Sequence, residues 1–488
     1  MSEKDEGQLK SSVSRRDFLK LAGVAGATVG VAGGLGGLLA ACGTKEESTT
    51  TTAAATTTSA AGTVTTAPAG GETTTSVTAS AEMGREVKIG FVDPLTGNLA
   101  AFGIAGKYVA GKWREAAANG LLLGDGKMHP FKIEVQDSQS DTQRAGSVAS
   151  GLINDTKVDM MMCAATGDTV NPVADQCEAS GTPCLSTDVP MEVFIFQRGG
   201  APDKPFTWTY NLFWGLTEEA ATEVDMFNQV VTNKKIGALW PNNAPGNAYR
   251  MSYGKGGTGW PDPSYTFIDS GQYNEPSDEF TNQIGLFTKD GCEILQGVMI
   301  DPDWTTLAHQ CAQQGFKPKI MEGIKPTLFP TTMEAIGPLA DGQCGTQWFH
   351  PTYPFKSSLT GDTPQQLCDD FEKTMNMQWQ QTIMHYVLFE WAVDVLKRTT
   401  NLDDKQEIIK RVAETKMTDS VAGPFDFTAP VKWGTAHPVQ NNVVTPTYGG
   451  QWRLSNGGKH QFELVVVSNV AAPQVAVADK LKPMSWVS

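Results

Sequence analysis

The segment VDMMMCAATGD, residues 158–168, contains a nearly continuous apolar run that ends in threonine, glycine and aspartate. A strand with one face in water alternates apolar and polar residues, whereas a strand covered by helices on both faces is apolar throughout. The segment therefore predicts an inner strand of a parallel sheet, and with it an α/β fold.

Strand and helix patterns alternate on both sides of this run. The predicted elements of this half are, in chain order, a strand at 85–97, a helix at 107–120, a strand at 131–141, a helix at 144–156, the strand at 158–168, a helix at 170–181 and a strand at 182–188. This β-α-β-α-β-α-β order is that of a parallel sheet with helices on both faces.

The same alternation starts again after a loop rich in proline and aromatic residues at 200–215. The elements predicted beyond it are helices at 217–231, 278–291, 303–316, 380–399 and 405–416, strands at 234–243, 292–302 and 317–323, and strand-rich segments around 440–470. Roughly 400 residues follow Glu86, which is too many for one hydrophobic core, so we expect two lobes.

The N-terminus has the composition of an export signal. Adjacent arginines in SRRDFLKLAG (14–23) precede an uncharged stretch, 21–41, that contains seven glycines and ends in LLAACG (38–43). Each glycine weakens a helix by about 1 kcal/mol relative to alanine, which disfavours a permanent membrane anchor. SRRDFLK resembles a twin-arginine signal and Leu39–Cys42 resembles a bacterial lipobox, which implies a signal peptide at 1–41 and lipidation of Cys42. The alternative is an uncleaved N-terminal anchor.

Residues 42–85 consist largely of threonine and alanine, with almost no large apolar side chain. Such a segment cannot bury enough surface to offset its ordering entropy. We expect a disordered tether, O-glycosylated or not, that holds the folded body away from a membrane.

The overall charge and the known catalytic motifs exclude several classes of function. The formal net charge of −15 argues against a nucleic-acid partner. HExxH, P-loop and GxSxG motifs are absent from the sequence, and the six histidines lack the spacing of metal ligands, so neither an enzyme, a cofactor nor a metal site is predicted. GKGGTG (254–259) matches GxGxxG, but it runs into WPDP, which cannot open the required helix, and we expect a surface loop there.

Several stretches, taken in order, resemble the type I periplasmic binding proteins of the branched-chain amino-acid ABC transporter family. These are VKIGFVDPLTGNLAAFG (87–103), FKIEVQDSQSD (131–141), IDPDWTTLAHQCAQQGFKPKIMEG (300–323) and SVAGPFDF (420–427). The resemblance implies two α/β lobes with parallel sheets, joined by crossings near 200–210, 345–356 and 428–442. Lobe one is then 86–204 plus 350–430, and lobe two is 210–345 plus 440–475.

The same resemblance implies a function without catalysis. The expected protein is an exported, periplasmic or cell-surface lipoprotein that captures an amino acid or related solute between its lobes and delivers it to ABC permease subunits. The alternatives are a ligand-sensing receptor of the same fold, which is expected to carry transmembrane and signalling domains, and a binding protein for aromatic acids or amides. Twelve tryptophans favour a large apolar or aromatic ligand, unless they pack the core and hinge.

In open α/β sheets, ligands bind outside the carboxyl ends of the strands. The strand ends that match the family's binding positions supply these expected ligand-binding residues: Phe102, Thr166, Gly167, Asp168, Ser186, Thr187 and Asp188 in lobe one, and Asn243, Gly246, Asn247, Asp301 and Glu322 in lobe two. Any one of these residues can equally belong to an ordinary turn or helix cap.

The resemblance also implies how an amino acid would be oriented. Thr166, Gly167, Ser186 and Thr187 would donate to its carboxylate from lobe one, and Asp301 or Glu322 in lobe two would bind its ammonium group. The family's usual double serine and a tyrosine are missing, so the solute need not be leucine or valine. Lys325 is a rival clue, because it would favour an anionic solute with no amine.

Seven cysteines follow Cys42, in a compartment that permits oxidation. Cys163 lies in an apolar strand and is expected to be a buried thiol. Pairing the others with sequence neighbours gives 177–184, 292–311 and 344–368, one of the many pairings that remain open.

Overall fold

The computed structural model describes residues 81–201, 203–429, 431–433 and 437–486. The export signal, Cys42 and all but the last five residues of the expected tether lie outside this range. Among the described helices, none combines the length and the hydropathy that crossing a bilayer requires.

Nineteen strands lie within the described residues. They are β1 (Val87–Asp93), β2 (Leu121–Leu122), β3 (Met128–His129), β4 (Phe131–Asp137), β5 (Met160–Cys163), β6 (Cys184–Thr187), β7 (Thr209–Leu212), β8 (Lys235–Leu239), β9 (Thr266–Asp269), β10 (Ile294–Gly297), β11 (Ile320–Gly323), β12 (Cys344–Gln347), β13 (Lys416–Met417), β14 (Phe425–Asp426), β15 (Val431–Trp433), β16 (His437–Val439), β17 (Asn442–Val443), β18 (Tyr448–Leu454) and β19 (Phe462–Ser468).

Twelve α-helices accompany them in the same part of the chain. They are α1 (Ala100–Ala116), α2 (Thr142–Gly151), α3 (Gly167–Ser180), α4 (Met191–Ile195), α5 (Leu216–Phe227), α6 (Ala244–Tyr253), α7 (Thr281–Asp290), α8 (Asp301–Gln314), α9 (Pro330–Ile336), α10 (Pro364–Met375), α11 (Val387–Lys397) and α12 (Lys405–Ala413). Short 3₁₀ or π segments cover Leu152–Thr156, Pro326–Leu328, Gly337–Ala340 and Gln381–Tyr386.

The first sheet has six strands in the order β17-β7-β6-β5-β1-β4, and every neighbouring pair is parallel. Strand β5, from the segment that predicted the fold class, lies inside this sheet, and all four of its residues are buried. Helix α3 follows β5 directly and packs against it and β6. The predicted parallel sheet with helices on its faces is therefore confirmed.

The second sheet has seven strands in the order β19-β18-β12-β11-β10-β8-β9. Its neighbours are parallel from β12 to β9, whereas β18 runs antiparallel to both β12 and β19. The two sheets form the cores of two α/β lobes, as expected. Helix α5 lies over β12, β18 and β19 on one face of the second sheet.

Two of the expected crossings between the lobes lie further along the chain than predicted. Strand β7 still belongs to the first sheet, so the chain leaves that sheet after Leu212 rather than at 200–210. Strand β17 also belongs to the first sheet, so the last crossing follows Val443 rather than lying at 428–442. Both strands are short and carry asparagine, and their polar composition resembles a loop.

The long helix expected over 380–399 is divided. Gln381–Tyr386 form a 3₁₀ segment, and the α-helix begins at Val387. The side chain of Gln381 accepts hydrogen bonds from the backbone N–H groups of Trp348 and Phe349 at 3.0 and 2.8 Å, and Gln380 donates to the carbonyl of Ala101 at 2.9 Å. These tertiary bonds accompany the departure from α-helical geometry. The GKGGTG segment is a loop, as predicted.

The expected disulfides are not present. All seven cysteines of the described residues are buried thiols, including Cys163 as predicted. Cys344 lies in the second sheet, whereas Cys368 lies on α10, which packs against α1 of the first lobe. Cys163 and Cys184, on adjacent strands, have their sulfur atoms 3.8 Å apart.

Candidate ligand-binding site

Segments that follow the carboxyl ends of parallel strands in the two sheets contact each other, and side chains from the two lobes meet there. The carboxylate of Asp168, in the first turn of α3, accepts a hydrogen bond from the backbone N–H of Ala244 at the start of α6, at 3.0 Å. The rings of Phe102 and Phe329 form an edge-to-face contact with centroids 4.9 Å apart. These contacts place strand ends of the two lobes against each other, and this region between the lobes is called the cleft below.

Thr166 and Gly167 connect β5 to α3 at this cleft. Thr166 occupies the N-cap position, and its buried hydroxyl has no hydrogen-bond partner among the described residues. A Cβ on Gly167 would lie 2.4 Å from Cγ1 of Val193 and 3.5 Å from Cβ of Ala244, which belongs to the other lobe. Glycine is therefore required for close approach at this turn.

Ser186 and Thr187 lie at the end of β6, but their hydroxyl protons are already engaged within the sheet. The Ser186 hydroxyl donates to the carbonyl of Tyr210 at 3.0 Å, and the Thr187 hydroxyl donates to the carbonyl of Leu212 at 2.8 Å. Both acceptors lie on the neighbouring strand β7. These hydroxyls therefore stabilise the strand pairing, and only their oxygen lone pairs remain for a ligand.

Asp188 follows β6 in a left-handed conformation with φ of 62°, which is costly for a residue other than glycine. One carboxylate oxygen forms a short hydrogen bond with Nε2 of His385, and the other oxygen is buried without a partner. Both residues are buried. Burial opposes the charged imidazole, but the Asp188 carboxylate, its hydrogen bond and the nearby Asp93 together raise the pKa of His385.

Asp93, at the end of β1, is the third titratable group beside this pair. Both of its carboxylate oxygens are buried without a hydrogen-bond partner in the described structure. The pKa of Asp93 is raised to about 7, mainly by burial and in part by the charge of Asp188, while His385 opposes the shift. Asp93, Asp188 and His385 therefore form a buried group at the strand ends of lobe one.

In lobe two, three of the expected ligand-binding residues lie at the turn from β8 into α6: Asn243, Gly246 and Asn247. Asn243 caps α6 by accepting from the Gly246 N–H at 2.9 Å, and it donates to the Glu275 carboxylate at 2.5 Å. A Cβ on Gly246 would lie 2.1 Å from the backbone oxygen of Pro241. Asn247 accepts from the amide of Gln272 at 2.7 Å. These residues therefore shape the strand end.

Asp301 and Lys325 follow the neighbouring strands β10 and β11 at the same edge. Burial raises the pKa of Asp301 to about 8, although a hydrogen bond with Thr332 and the charge of Lys325 oppose the shift. The side chain of Lys325 is only 6% exposed, and its ammonium group has no hydrogen-bond partner in the described structure. The edge of lobe two therefore carries an acid of raised pKa and an unpaired cation.

Glu322 does not join this group. It lies within β11 and is completely buried, and its carboxyl group interacts with Glu223 and Gln296 inside lobe two. Glu223 lies on α5, where Gln296 donates to it at 3.0 Å. Burial raises the pKa of Glu322 and Glu223, as expected for carboxyl groups that share a dry interior. The acid predicted to bind an ammonium group thus lies in the core of the lobe.

Four of the tryptophans in the described residues pack the core and the hinge. Trp240 and Trp304 are completely buried, and their indole N–H groups donate to Gln296 and Gln343 at 3.2 and 2.8 Å. Trp214 and Trp348 follow β7 and β12, with ring centroids 5.8 Å apart at the crossings. The aromatic contact at the cleft is instead that of Phe102 with Phe329.

Sequence reasoning missed Asp93, Glu275 and His385. Asp93 is the last residue of β1, and the rule that ligands bind at strand ends points to it. His385 lies within a segment expected to be one continuous helix, more than two hundred residues from Asp93 along the chain. No local pattern connects these two residues.

Comparison with known proteins identifies related families for two parts of the chain. A family model described as "Periplasmic binding protein" matches residues 86–456, and a model of the twin-arginine translocation pathway signal sequence matches residues 12–32. No curated protein matches the chain significantly.

Solved structures that resemble the chain include a leucine-binding protein from Thermotoga maritima, at 14% identity and a TM-score of 0.61, covering 78% of this chain and 99% of that one. A branched-chain amino-acid binding protein from Streptococcus pneumoniae, in complex with isoleucine, is 18% identical with a TM-score of 0.59, covering 78% and 99%. A solute-binding protein from Rhodopseudomonas palustris, in complex with 3,4-dihydroxybenzoic acid, is 14% identical with a TM-score of 0.62, covering 81% and 98%. At these identities, the likeness establishes the fold.

Proposed function

Because the chain belongs to the type I periplasmic binding proteins, the solute-binding proteins of ABC transporters, we propose that it captures a small carboxylate, either an amino acid or an aromatic acid, between its two lobes. The observation that carries this proposal is the group of buried, unpartnered polar atoms at the facing strand ends, from Thr166 and Asp188 on one side and Lys325 on the other. A buried polar group without a hydrogen bond is costly, and a ligand that pairs with it recovers that cost.

Capture and release would follow from lobe closure. A ligand that touches both lobes only when they are close together shifts the population toward the closed state. The contacts of Asp168 with Ala244 and of Phe102 with Phe329 join residues of different lobes, so they would form on closure. The closed form would then present both lobes to ABC permease subunits.

The site is tested by a thermal-shift screen followed by calorimetry. The panel contains leucine, isoleucine, benzoate, 3,4-dihydroxybenzoate and the matching amides. We expect at least one carboxylate to bind, and Asp168→Ala to weaken that binding by about tenfold because a closing contact is lost. Asp225→Ala, at an exposed position of α5, is the control and should bind as the wild type does. Equal affinity of the Asp168→Ala protein would argue against closure at this contact.

We also propose that Cys42 carries a lipid and that residues 42–85 tether the body to a membrane. The twin-arginine match at residues 12–32 supports export, and the lipobox-like sequence ending at Cys42 supports lipidation. We expect Cys42→Ser to move the protein from the membrane fraction to the soluble fraction, measured by fractionation and immunoblotting. Arg15→Lys together with Arg16→Lys should block export. A Cys42→Ser protein that remains membrane-bound would contradict lipidation.

A further inference from the structure

Lys325 is a buried cation without a partner at the edge of the cleft. It follows β11 directly and precedes the 3₁₀ turn Pro326–Leu328. Its side chain is 6% exposed, its Nζ atom lacks a hydrogen bond, and none of the ion pairs among the described residues includes it. A buried charge is destabilising unless another group pairs with it, so an anion bound beside this ammonium group would offset that cost.

The segment that carries Lys325 faces lobe one. Four residues further on, Phe329 contacts the ring of Phe102 on α1. At the same edge of the second sheet, the N–H of Ala244 reaches the Asp168 carboxylate of α3. Lys325 therefore lies on the side of lobe two that meets the other lobe.

Three acids lie within electrostatic range of Lys325, but none of them forms a hydrogen bond with its ammonium group. The carboxylate of Glu275 is occupied by the backbone N–H of Ile300 at 2.8 Å and by the amide of Asn243. Burial raises the pKa of Asp301 to about 8 and that of Asp303 to about 7, although Lys325 opposes both shifts. Near neutral pH these two acids are therefore largely or partly protonated, and the ammonium group has no direct partner among the three acids.

Among the described residues at the strand ends of lobe one, the buried basic group is His385, whose Nδ1 atom has no hydrogen-bond partner. His385 is paired with the carboxylate of Asp188, and Asp93 lies beside them. The hydroxyl protons of Ser186 and Thr187 are donated to β7. The free oxygen of Asp188 is an acceptor, which suits a hydroxyl or amine group of a ligand.

We infer that Lys325 receives the anionic group of the solute, so that its carboxylate points into lobe two and its hydroxyl or amine donors meet Asp188 and Thr166 in lobe one. This inference rests on the proposed function and narrows it to small acids with a hydrogen-bond donor at the far end. It reverses the orientation that the sequence predicts, in which lobe one binds the carboxylate and lobe two the ammonium group.

The test compares acids with their neutral amides on two lysine variants. Calorimetry measures 3,4-dihydroxybenzoate against 3,4-dihydroxybenzamide, and leucine against leucinamide, on wild type, Lys325→Met and Lys317→Met. Lys317 is exposed in the same lobe and serves as the charge-matched control. We expect Lys325→Met to weaken the binding of the acid by about 30-fold or more, with amide binding changed by less than about threefold, and Lys317→Met to leave both unchanged.

A second readout needs no ligand. If Lys325 is unpaired in the free protein, Lys325→Met should raise the melting temperature by about 2 °C or more, because an uncompensated buried charge is removed. A lower melting temperature would instead make Lys325 a structural counter-ion of Glu275 and Asp301 and would overturn the inference.

The binding outcomes separate this inference from the proposed function. If Lys325→Met keeps its affinity for the acid, or if amides bind wild type as tightly as acids, the anion-binding role of Lys325 is wrong while solute binding stands. If neither acids nor amides bind wild type, the proposed capture of small carboxylates fails and the role of Lys325 fails with it.

Discussion

Gly103 and Gly111 lie two turns apart on α1, and their surroundings differ. A Cβ on Gly103 would lie 2.4 Å from the backbone oxygen of Pro94 and 2.7 Å from Cα of Leu95, whereas a Cβ on Gly111 would have no atom within 4 Å. We expect Gly103→Ala to lower the free energy of unfolding by about 1–3 kcal/mol, because backbone cannot move away as a flexible side chain can. Gly111→Ala should raise it by up to about 1 kcal/mol. Urea denaturation measures both.

The two substitutions share a helix and a chemical change, so helix propensity cannot explain a difference between them. If Gly103→Ala is as stable as Gly111→Ala, the tight contact between α1 and the loop after β1 is absent. That loop connects the end of β1 to Phe102, so the same result would weaken the description of the cleft.

At the scale of single residues, the sequence predicts which residues follow strand ends better than it predicts their hydrogen-bond partners. Thr166 and Asp188 could be predicted because each follows a strand of the first sheet. The engagement of Ser186 and Thr187 by β7 could not, because it depends on which strand lies beside β6. For the same reason, the sequence places Glu322 at the cleft, whereas in the structure this residue is buried in lobe two beside Glu223 of α5.

Strand β17 is an element of two residues held to the first sheet by backbone hydrogen bonds with β7 and by asparagine side chains. Asn442 donates to the carbonyl of Phe213 at 2.9 Å and accepts from the amide of Asn211 at 2.6 Å. It is 1% exposed, so truncation leaves buried polar groups unpaired. We expect Asn442→Ala to lower the free energy of unfolding by about 1–3 kcal/mol in urea denaturation.

Asn154, which is exposed and bonds only to Ser150, provides the control for this substitution. Asn154→Ala should change the free energy of unfolding by less than about 0.5 kcal/mol. If both substitutions changed the free energy of unfolding equally, the hydrogen bonds of Asn442 would add nothing to stability beyond what an exposed asparagine contributes.

Apolar strands could be predicted from the sequence, and polar strands could not. Strands β1, β5 and β11 consist of buried residues in a helix–strand alternation, which periodicity detects. The asparagine side chains of β7 and β17 form a hydrogen bond with each other, between Asn211 and Asn442. Neither segment, taken alone, has the apolar pattern of a buried strand. The 3₁₀ segment Gln381–Tyr386 likewise depends on partners from distant parts of the chain.

Taken as a whole, the molecule buries several acids whose pKa values are raised by burial: Asp93 to about 7, Asp301 to about 8, Asp303 to about 7 and Glu390 to about 7. The folded state binds more protons than the unfolded state between roughly pH 4 and 8, so stability falls as the pH rises through this window. The pKa of His385, also raised, acts in the same direction. We expect a higher free energy of unfolding at pH 5 than at pH 8 in urea denaturation.

Asp93→Asn tests this pH dependence at one site. The charged or titratable groups that act on Asp93 are His385, Asp188, Asp137 and Lys107. Removing its titration should reduce the difference in free energy of unfolding between pH 5 and pH 8 by up to about 3 kcal/mol, since a group with a folded-state pKa of about 7 acts over about two pH units in this window, at about 1.4 kcal/mol each. If the free energy of unfolding changes equally between pH 5 and pH 8 in wild type and variant, the pKa of Asp93 is not raised in the folded protein.

The parallel strands of the two sheets end where the lobes meet, which is the basis for the proposal that the chain encloses a small molecule. Each lobe has its own sheet, and the crossings after β7, β12 and β17 join the lobes. Three of the residues with unpaired polar atoms, Thr166, Asp188 and Lys325, follow strand ends on the sides where the lobes meet. Closure and recognition are therefore properties of the whole molecule rather than of either sheet.

A crystal structure of the protein with the carboxylate that binds most tightly in the calorimetric panel is the most direct test of this account. We predict electron density for the solute between the two sheets, with its carboxylate near Lys325 and its other end near Asp188 and Thr166. A second surface offers a contrasting location, namely the cavity lined by Gln143, Ser147 and Pro172 on the outer faces of α2 and α3. Solute bound there, or anywhere outside the cleft, would contradict capture between the lobes.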